Sequence, residues 1–184
     1  GMTPYPIHTI ETAPEASQSQ LRQVQEVIGR IPNLAAGMAE SPTLLKSFFA
    51  VREIYAGGTL TDVEIQALSI ANAAENGCDW CVAFHSAMAL KAGLSEQTLK
   101  ALRDGRDTGE PRLDALQRLT RAMVTRRGRV GDDVLRSFYS AGFNRGQALE
   151  VVLGVSFSVM ANYAGHLVHP PLEAGLQQFA WVKG

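Results

Sequence analysis

The chain has 184 residues, of which 46% are hydrophobic and 19% are charged, and its formal net charge at pH 7 is −1. This length and composition are typical of a globular protein of one domain, which buries enough surface to fold without a metal or a disulfide. Basic residues cluster only over residues 126–129, so the charge pattern does not predict nucleic acid or an anionic membrane as a partner.

Helical patterns run through almost the whole chain, and no stretch alternates apolar and polar residues as a strand would. Residues 1–17 are rich in Pro and Thr and predict an irregular N-terminal arm, whereas residues 18–184 predict a single helical domain. Ser41 is a predicted N-cap before a proline, and Thr61 with Glu64 forms a predicted capping box. The predicted fold class is all-α, a compact bundle of about eight helices. The predicted helices cover residues 18–30, 42–56, 62–75, 79–92, 95–102, 111–126, 132–141 and 145–163, with a short helix after residue 171.

Both cysteines lie in the segment NGCDWCVAFHS, in which Cys78 and Cys81 are followed by His85. Asn and Gly break the preceding helix, so Cys78 is expected at the N-cap region of a new helix and Cys81 in its first turn. His85 follows Cys81 at i+4, on the same helix face. The two cysteines are close enough to form a disulfide with little backbone movement. The chain shows no secretory leader pattern, so we expect a cytoplasmic protein in which a close cysteine pair serves catalysis or metal binding.

This spacing suits a thiol that reacts with a peroxide. Lowering a thiol pKa from about 8.5 to about 7 raises the thiolate fraction at pH 7 roughly 15-fold, but the loss of nucleophilicity costs about fivefold, so activation alone gains only about threefold. Attack on a peroxide oxygen also expels an alkoxide that must be protonated, and His85 is placed to supply that proton. A second thiol one turn away then converts the resulting sulfenic acid to a disulfide.

Other interpretations compete with this one. Free cysteines are common core residues, so one interpretation is that the pair serves only for packing. Two cysteines in a CxxC pattern with a histidine on the same helix face argue against that interpretation. A zinc site needs a fourth ligand, which His8, His166 or His169 would have to supply, and the chain holds no second CxxC, so no metal is expected. A thioredoxin-type pair is disfavoured because no βαβ pattern surrounds the motif.

The segment LTDVEIQALSIANAAENGCDWCVAFHSAMALKAGLS resembles the AhpD-like superfamily, which contains alkyl hydroperoxidase D and the carboxymuconolactone decarboxylases. The likeness extends over residues 31–167, including IPNLAAGMAESPTLLKSFFAV and GFNRGQALEVVLGVSFSVMANYAGHL. It implies an all-α fold, homo-oligomers built from trimers and, in the alkyl hydroperoxidase D branch, peroxide reduction. Cys81 then matches the peroxidatic cysteine, Cys78 the resolving cysteine and His85 the proton-relay histidine. The resemblance implies no bound cofactor; in that branch a dithiol such as lipoamide, carried by a partner protein, reduces the disulfide.

The chain departs from this family at one relay position, where the family has a glutamate and this sequence has Gln66. A glutamine amide can orient His85 or hold a water, but it carries no proton at pH 7. Glu64 lies about 200° around the helix from Gln66 and Glu75 shares the face of Glu64, so a substitute role for either carboxylate is a weaker interpretation than capping and solvation.

The predicted function is therefore a thiol-dependent peroxidase that acts on small or organic hydroperoxides. A decarboxylase-like lyase that uses His85 and a redox-switched oligomer without turnover are the alternatives. The decarboxylase branch lacks the cysteine pair, which favours redox chemistry here. Trp80 is interpreted as a packing residue, and Asn162 and His166, one turn apart near the end of the long predicted helix, are interpreted as helix-capping residues.

Overall fold

The structure is a computed structural model that describes residues 2–183. Gly1 and Gly184, the outer ends of the predicted arm and of the predicted domain, lie outside the described residues. The described residues form nine α-helices and one 3₁₀ helix and contain no strand, which confirms the predicted all-α class. The elements are α1 (Glu15–Ile28), α2 (Asn33–Met38), α3 (Pro42–Ala56), α4 (Asp62–Asn76), α5 (Asp79–Lys91), α6 (Glu96–Asp104), α7 (Pro111–Thr125), α8 (Asp132–Ser140), α9 (Arg145–Val168) and the 3₁₀ helix Ala174–Phe179.

Side-chain caps fix the starts of the helices that position the site. Ser41 accepts a hydrogen bond from the backbone N–H of Leu44 at the start of α3, and Thr61 and Glu64 form a reciprocal capping box at the start of α4. Both caps were predicted from the sequence and are confirmed. α4 ends at Gly77, whose φ of 69° lies in the left-handed region that glycine adopts at little cost.

Two helix bounds differ by three residues or more from those predicted. α1 begins at Glu15, three residues before the predicted start, because Pro14 occupies the N-cap and the hydroxyl of buried Ser17 donates to the carbonyl of Ala39 at 2.7 Å. α9 continues to Val168 rather than ending near residue 163, because its last turns pack against the junction of α4 and α5. Both extensions depend on tertiary contacts that the local pattern does not contain.

α4 lies at the centre of the fold and packs against α5, α7 and α9. Every residue from Ala67 to Ala74 is buried, so this part of α4 is enclosed on all sides. Within α4, Leu68, Ala71 and Ala74 are buried and Ile65 is partly buried. The cysteine helix α5 is therefore held directly against the most buried element of the domain.

α9 is apolar and long enough to cross a membrane by length and composition, but half of its most apolar stretch is buried inside the domain. That burial is the ordinary condition of a core helix in a folded domain. Its outward face still exposes large apolar side chains, namely Leu149, Val152, Tyr163 and Leu167.

Candidate active site

The cysteine pair lies at the start of α5. Cys78 is the N-cap of this helix, with φ −84° and ψ 95°, and its Sγ accepts a hydrogen bond from the backbone N–H of Cys81 at 3.3 Å. The two residues form a disulfide, with their Cα atoms 5.3 Å apart. The N-cap position predicted for Cys78 is thus observed. A thiolate at Cys78 would face the positive end of the α5 dipole and accept the backbone N–H of Cys81, both of which stabilise negative charge.

Gly165 of α9 allows the close approach of that helix to the cysteine pair. A Cβ atom at this position would lie 2.9 Å from Cys78 Sγ and 4.0 Å from Cys81 Sγ, which is too close for the first contact. Gly165 was not identified from the sequence. The available signal was a stripe of small residues at helical spacing along α9, comprising Gly154, Ser158, Ala161 and Gly165.

A cavity of about 380 Å³ opens beside the disulfide. Cys81, His85 and Gln66 line it, whereas the described lining does not include Cys78. Its volume is at the lower end of the range for small-molecule sites, about 300–1,000 Å³. Most of the remaining lining is apolar or aromatic, including Leu34, Met38, Phe48, Phe49, Trp80, Phe84, Met88 and Phe157.

His85 is oriented by Gln66. Their Nδ1 and Oε1 atoms are 2.8 Å apart, so Nδ1–H donates to the amide oxygen and Nε2 is left as the basic nitrogen. Burial and, to a smaller extent, the positive charge of Arg52 lower the pKa of His85 to about 4. His85 is therefore neutral at pH 7 in the disulfide form. The orienting role considered for Gln66 from the sequence agrees with this geometry.

The two other carboxylates considered as relay groups lie elsewhere. Glu64 Oε2 pairs with Arg112 at 3.1 Å, and its Oε1 accepts the Thr61 N–H of the capping box. Glu75 pairs with Arg121 at 3.0 Å. Neither glutamate lines the cavity, so their contacts fit structural roles.

Trp80 both packs and lines the cavity. Its ring stacks on Phe84 with centroids 5.0 Å apart, and its Nε1–H donates to Glu173 at 2.8 Å, which fastens the C-terminal segment to α5. His166 Nε2 donates to the last carbonyl of α4, that of Asn76, at 2.7 Å. His166 therefore closes a helix end, as interpreted from the sequence.

Asn162, like His166, contacts the C-terminal end of α4. Its Oδ1 accepts a hydrogen bond from Asn76 Nδ2 at 3.1 Å, so α9 is tied to the end of α4 by two side chains. His169 takes the left-handed conformation at the C-cap of α9, with φ 51°. Within residues 2–183, no group of three or more His, Cys, Asp or Glu side chains is placed to hold a metal ion.

Comparisons with known proteins agree with this description. Residues 42–122 match the carboxymuconolactone decarboxylase family. A peroxidase-related protein from Ralstonia eutropha with an alkylhydroperoxidase AhpD core superimposes with a TM-score of 0.81 at 20% identity, over 94% of this chain and 93% of that one. A peroxidase-related protein from Silicibacter gives a TM-score of 0.74 at 22% identity, over 97% and 100% of the two chains.

The debrominase Bmp8 is a third structural relative, with a TM-score of 0.80 at 15% identity over 97% of this chain and 96% of that one. A cysteine-to-alanine variant of Bmp8 has been crystallised with 2,3,4-tribromopyrrole. No curated protein sequence matches this chain. At these identities the structural relatives establish the fold, and together with the family match they confirm the resemblance drawn from the sequence.

Proposed function

We propose that this chain, a member of the AhpD-like and carboxymuconolactone decarboxylase superfamily, is a thiol-dependent peroxidase that reduces small or organic hydroperoxides. One observation carries the proposal. Cys81 and His85 line the same cavity, and Cys78, which is not among the lining residues, is bonded to Cys81. A nucleophile, a proton carrier and a resolving thiol are thus adjacent.

The oxidative half of the cycle uses Cys81 and His85. Nε2 of His85 accepts the Cys81 thiol proton, because Gln66 holds the proton of the ring on Nδ1. The thiolate attacks one oxygen of the hydroperoxide ROOH, the O–O bond breaks, and the alkoxide leaves with the proton from His85. The products are the alcohol ROH and Cys81 sulfenic acid.

Resolution and reduction follow at the same pair. The Cys78 thiol attacks the sulfenic sulfur of Cys81, water leaves, and the disulfide forms. A lipoamide-like dithiol then donates two electrons and two protons, which restores both thiols and leaves an oxidised, cyclic dithiol. Cys81 is the sulfur that lines the cavity, so we propose that the dithiol enters by the route of the substrate.

The first experiment measures the intact mass and thiol count of the reduced protein before and after one equivalent of cumene hydroperoxide. The expected result is loss of two hydrogens and of both thiols. Cys81→Ser should abolish peroxide consumption, whereas Cys78→Ser should retain one attack and leave a sulfenic or over-oxidised Cys81. Unchanged mass with two free thiols, or normal consumption by Cys81→Ser, would contradict the mechanism.

Two further measurements, a lyase assay of the variants and the native mass on oxidation, separate the alternatives predicted from the sequence. A lyase of the decarboxylase type would keep its activity in the Cys78→Ser/Cys81→Ser double variant and lose it in His85→Gln. A redox-switched oligomer would change its native mass on oxidation without turning over peroxide. The exposed apolar face of α9 supports the proposal that the chain forms homo-oligomers.

A second candidate reaction shares the first steps and has one observation in its favour. The cavity is walled by Phe48, Phe49, Trp80 and Phe84, which provide aromatic surfaces for a flat ring. Attack of the Cys81 thiolate on an aryl bromine, with protonation of the ring carbon, would give a sulfenyl bromide that the second thiol resolves to the disulfide, releasing bromide. Bromide release from tribromopyrrole by the reduced protein, without peroxide turnover, would favour this reaction.

A further inference from the structure

Positively charged residues outnumber negatively charged ones in the lining of the cavity. Arg52 of α3 and Lys91 of α5 line it together with a single acidic residue, Asp62, in the first turn of α4. The other titratable groups on its wall are His85, which burial keeps neutral at pH 7, and Tyr55, whose pKa burial raises above its usual range. The cavity therefore carries a net positive charge next to an apolar interior.

Arg52 is the cation of this set whose charge acts on His85. Its charge contributes to the low pKa of His85, so the guanidinium is within electrostatic reach of that imidazole. Arg52 is exposed to solvent, and it forms no ion pair and no side-chain hydrogen bond with any residue between 2 and 183. Arg112 and Arg121, by contrast, are each paired with a glutamate.

An unpaired guanidinium at the mouth of an apolar cavity has a chemically complementary ligand. A planar carboxylate accepts two parallel hydrogen bonds from an Arg side chain, and the alkyl or aryl part of the same molecule gains from contact with apolar walls. Both Arg52, which is exposed to solvent, and Cys81, which is buried, line the cavity. A molecule that spans it would present a distal group to the sulfur.

We infer that the cavity selects organic acids, and that Arg52 binds their carboxylate while the peroxide group meets Cys81. The substrate class is thus a short hydroperoxide that also carries a carboxylate. This inference rests on the proposed peroxidase function for the identity of the reacting group, whereas recognition of the carboxylate does not depend on it. Neutralisation of the guanidinium would also raise the pKa of His85 towards its ordinary value, which makes the imidazole a better proton acceptor.

The test uses the full chain in its disulfide form, which cannot react with peroxide, and two probes of equal chain length, octanoate and 1-octanol. Calorimetric titration should show octanoate binding about tenfold more tightly than 1-octanol, as expected for one charge-assisted contact. Arg52→Gln should abolish this preference and leave 1-octanol binding unchanged. Arg22→Gln, which removes an exposed arginine on α1 that does not line the cavity, should keep the preference.

Equal binding of the two probes by the parent protein would overturn the inference. An equal loss of preference in the Arg22→Gln control would also overturn it, because the effect would then come from overall charge rather than from the cavity. A second measurement compares kcat/KM for a carboxylate-bearing hydroperoxide and for its methyl ester. If neither is turned over but octanoate binding still requires Arg52, the peroxidase proposal fails while carboxylate recognition stands.

Discussion

Replacement of Gln66 by Glu should convert His85 from a neutral base into a group that titrates near physiological pH. The amide oxygen is 2.8 Å from His85 Nδ1, so a carboxylate oxygen in its place would contact the ring directly. An opposite charge at that distance raises a histidine pKa by about 1–3 units. From a starting pKa of about 4, the variant should titrate between about 5 and 7.

The functional consequence follows from the protonated fraction. At pH 7 a histidine of pKa about 4 is protonated in about one molecule per thousand, and a rise of about two units increases this to about one in ten. The imidazolium is the form that protonates the leaving alkoxide, and its fraction rises about 100-fold. Because an acid of higher pKa donates its proton less readily, about tenfold of that gain is lost, so Gln66→Glu should raise kcat/KM for cumene hydroperoxide about tenfold.

The direct assay is the chemical shift of the His85 Cε1–H between pH 3 and pH 9 in the disulfide form, with the resonance assigned by its absence in His85→Gln. Gln66→Leu is the matched control, because it removes the acceptor without adding charge and should leave the pKa low while reducing activity. A His85 pKa that stays within about half a unit of the parent value in Gln66→Glu would refute the reasoning.

Two further predictions concern packing. Gly165→Ala should destabilise the oxidised protein by about 1 kcal/mol in urea denaturation, because overpacking against Cys78 Sγ, which costs about 1–3 kcal/mol, exceeds the gain of up to about 1 kcal/mol from helix propensity. The control is Gly175→Ala at an exposed helical glycine, where a Cβ would meet no atom within 4 Å, and it should be neutral or stabilising. A Gly165→Ala protein as stable as the parent would contradict the close approach of α9. Tyr55→Phe should leave the free energy of unfolding unchanged or raise it, because the buried hydroxyl has no hydrogen-bond partner among the described residues. Ser17→Ala is the comparison, since its buried hydroxyl does donate a hydrogen bond and its loss should cost about 1 kcal/mol; a similar loss in Tyr55→Phe would disprove the absence of a partner.

Much of the fold was predictable because the signals are local. Helix caps depend on residues three positions apart, and Ser41, Thr61 and Glu64 fulfil their predicted roles. The same locality placed Cys78 at an N-cap and put His85 one turn after Cys81. Spacing alone was sufficient for this part of the candidate site, because a helix fixes the relative directions of side chains at i, i+3 and i+4.

Tertiary packing decided the environment of those residues. The contact of Gln66 with His85 joins α4 to α5, and the contact of Gly165 with Cys78 joins α9 to α5. Neither contact follows from the periodicity of the sequence. Each depends on how two helices cross, and burial of their apolar faces determines that crossing geometry. Arg52 likewise enters the cavity from α3, far from the cysteine motif in sequence.

The difference between what the sequence determines and what the tertiary structure determines has a single physical origin. Hydrogen bonds and side-chain directions within one turn are determined by neighbouring residues, so the sequence alone identified every helix except α2, the caps at Ser41 and Thr61, and the CxxCxxxH motif. The protonation state of His85 depends on desolvation and on charges from other helices. Glu64 and Glu75 form ion pairs instead of serving as relay groups because the fold brings an arginine beside each of them. These properties exist only once the chain has packed.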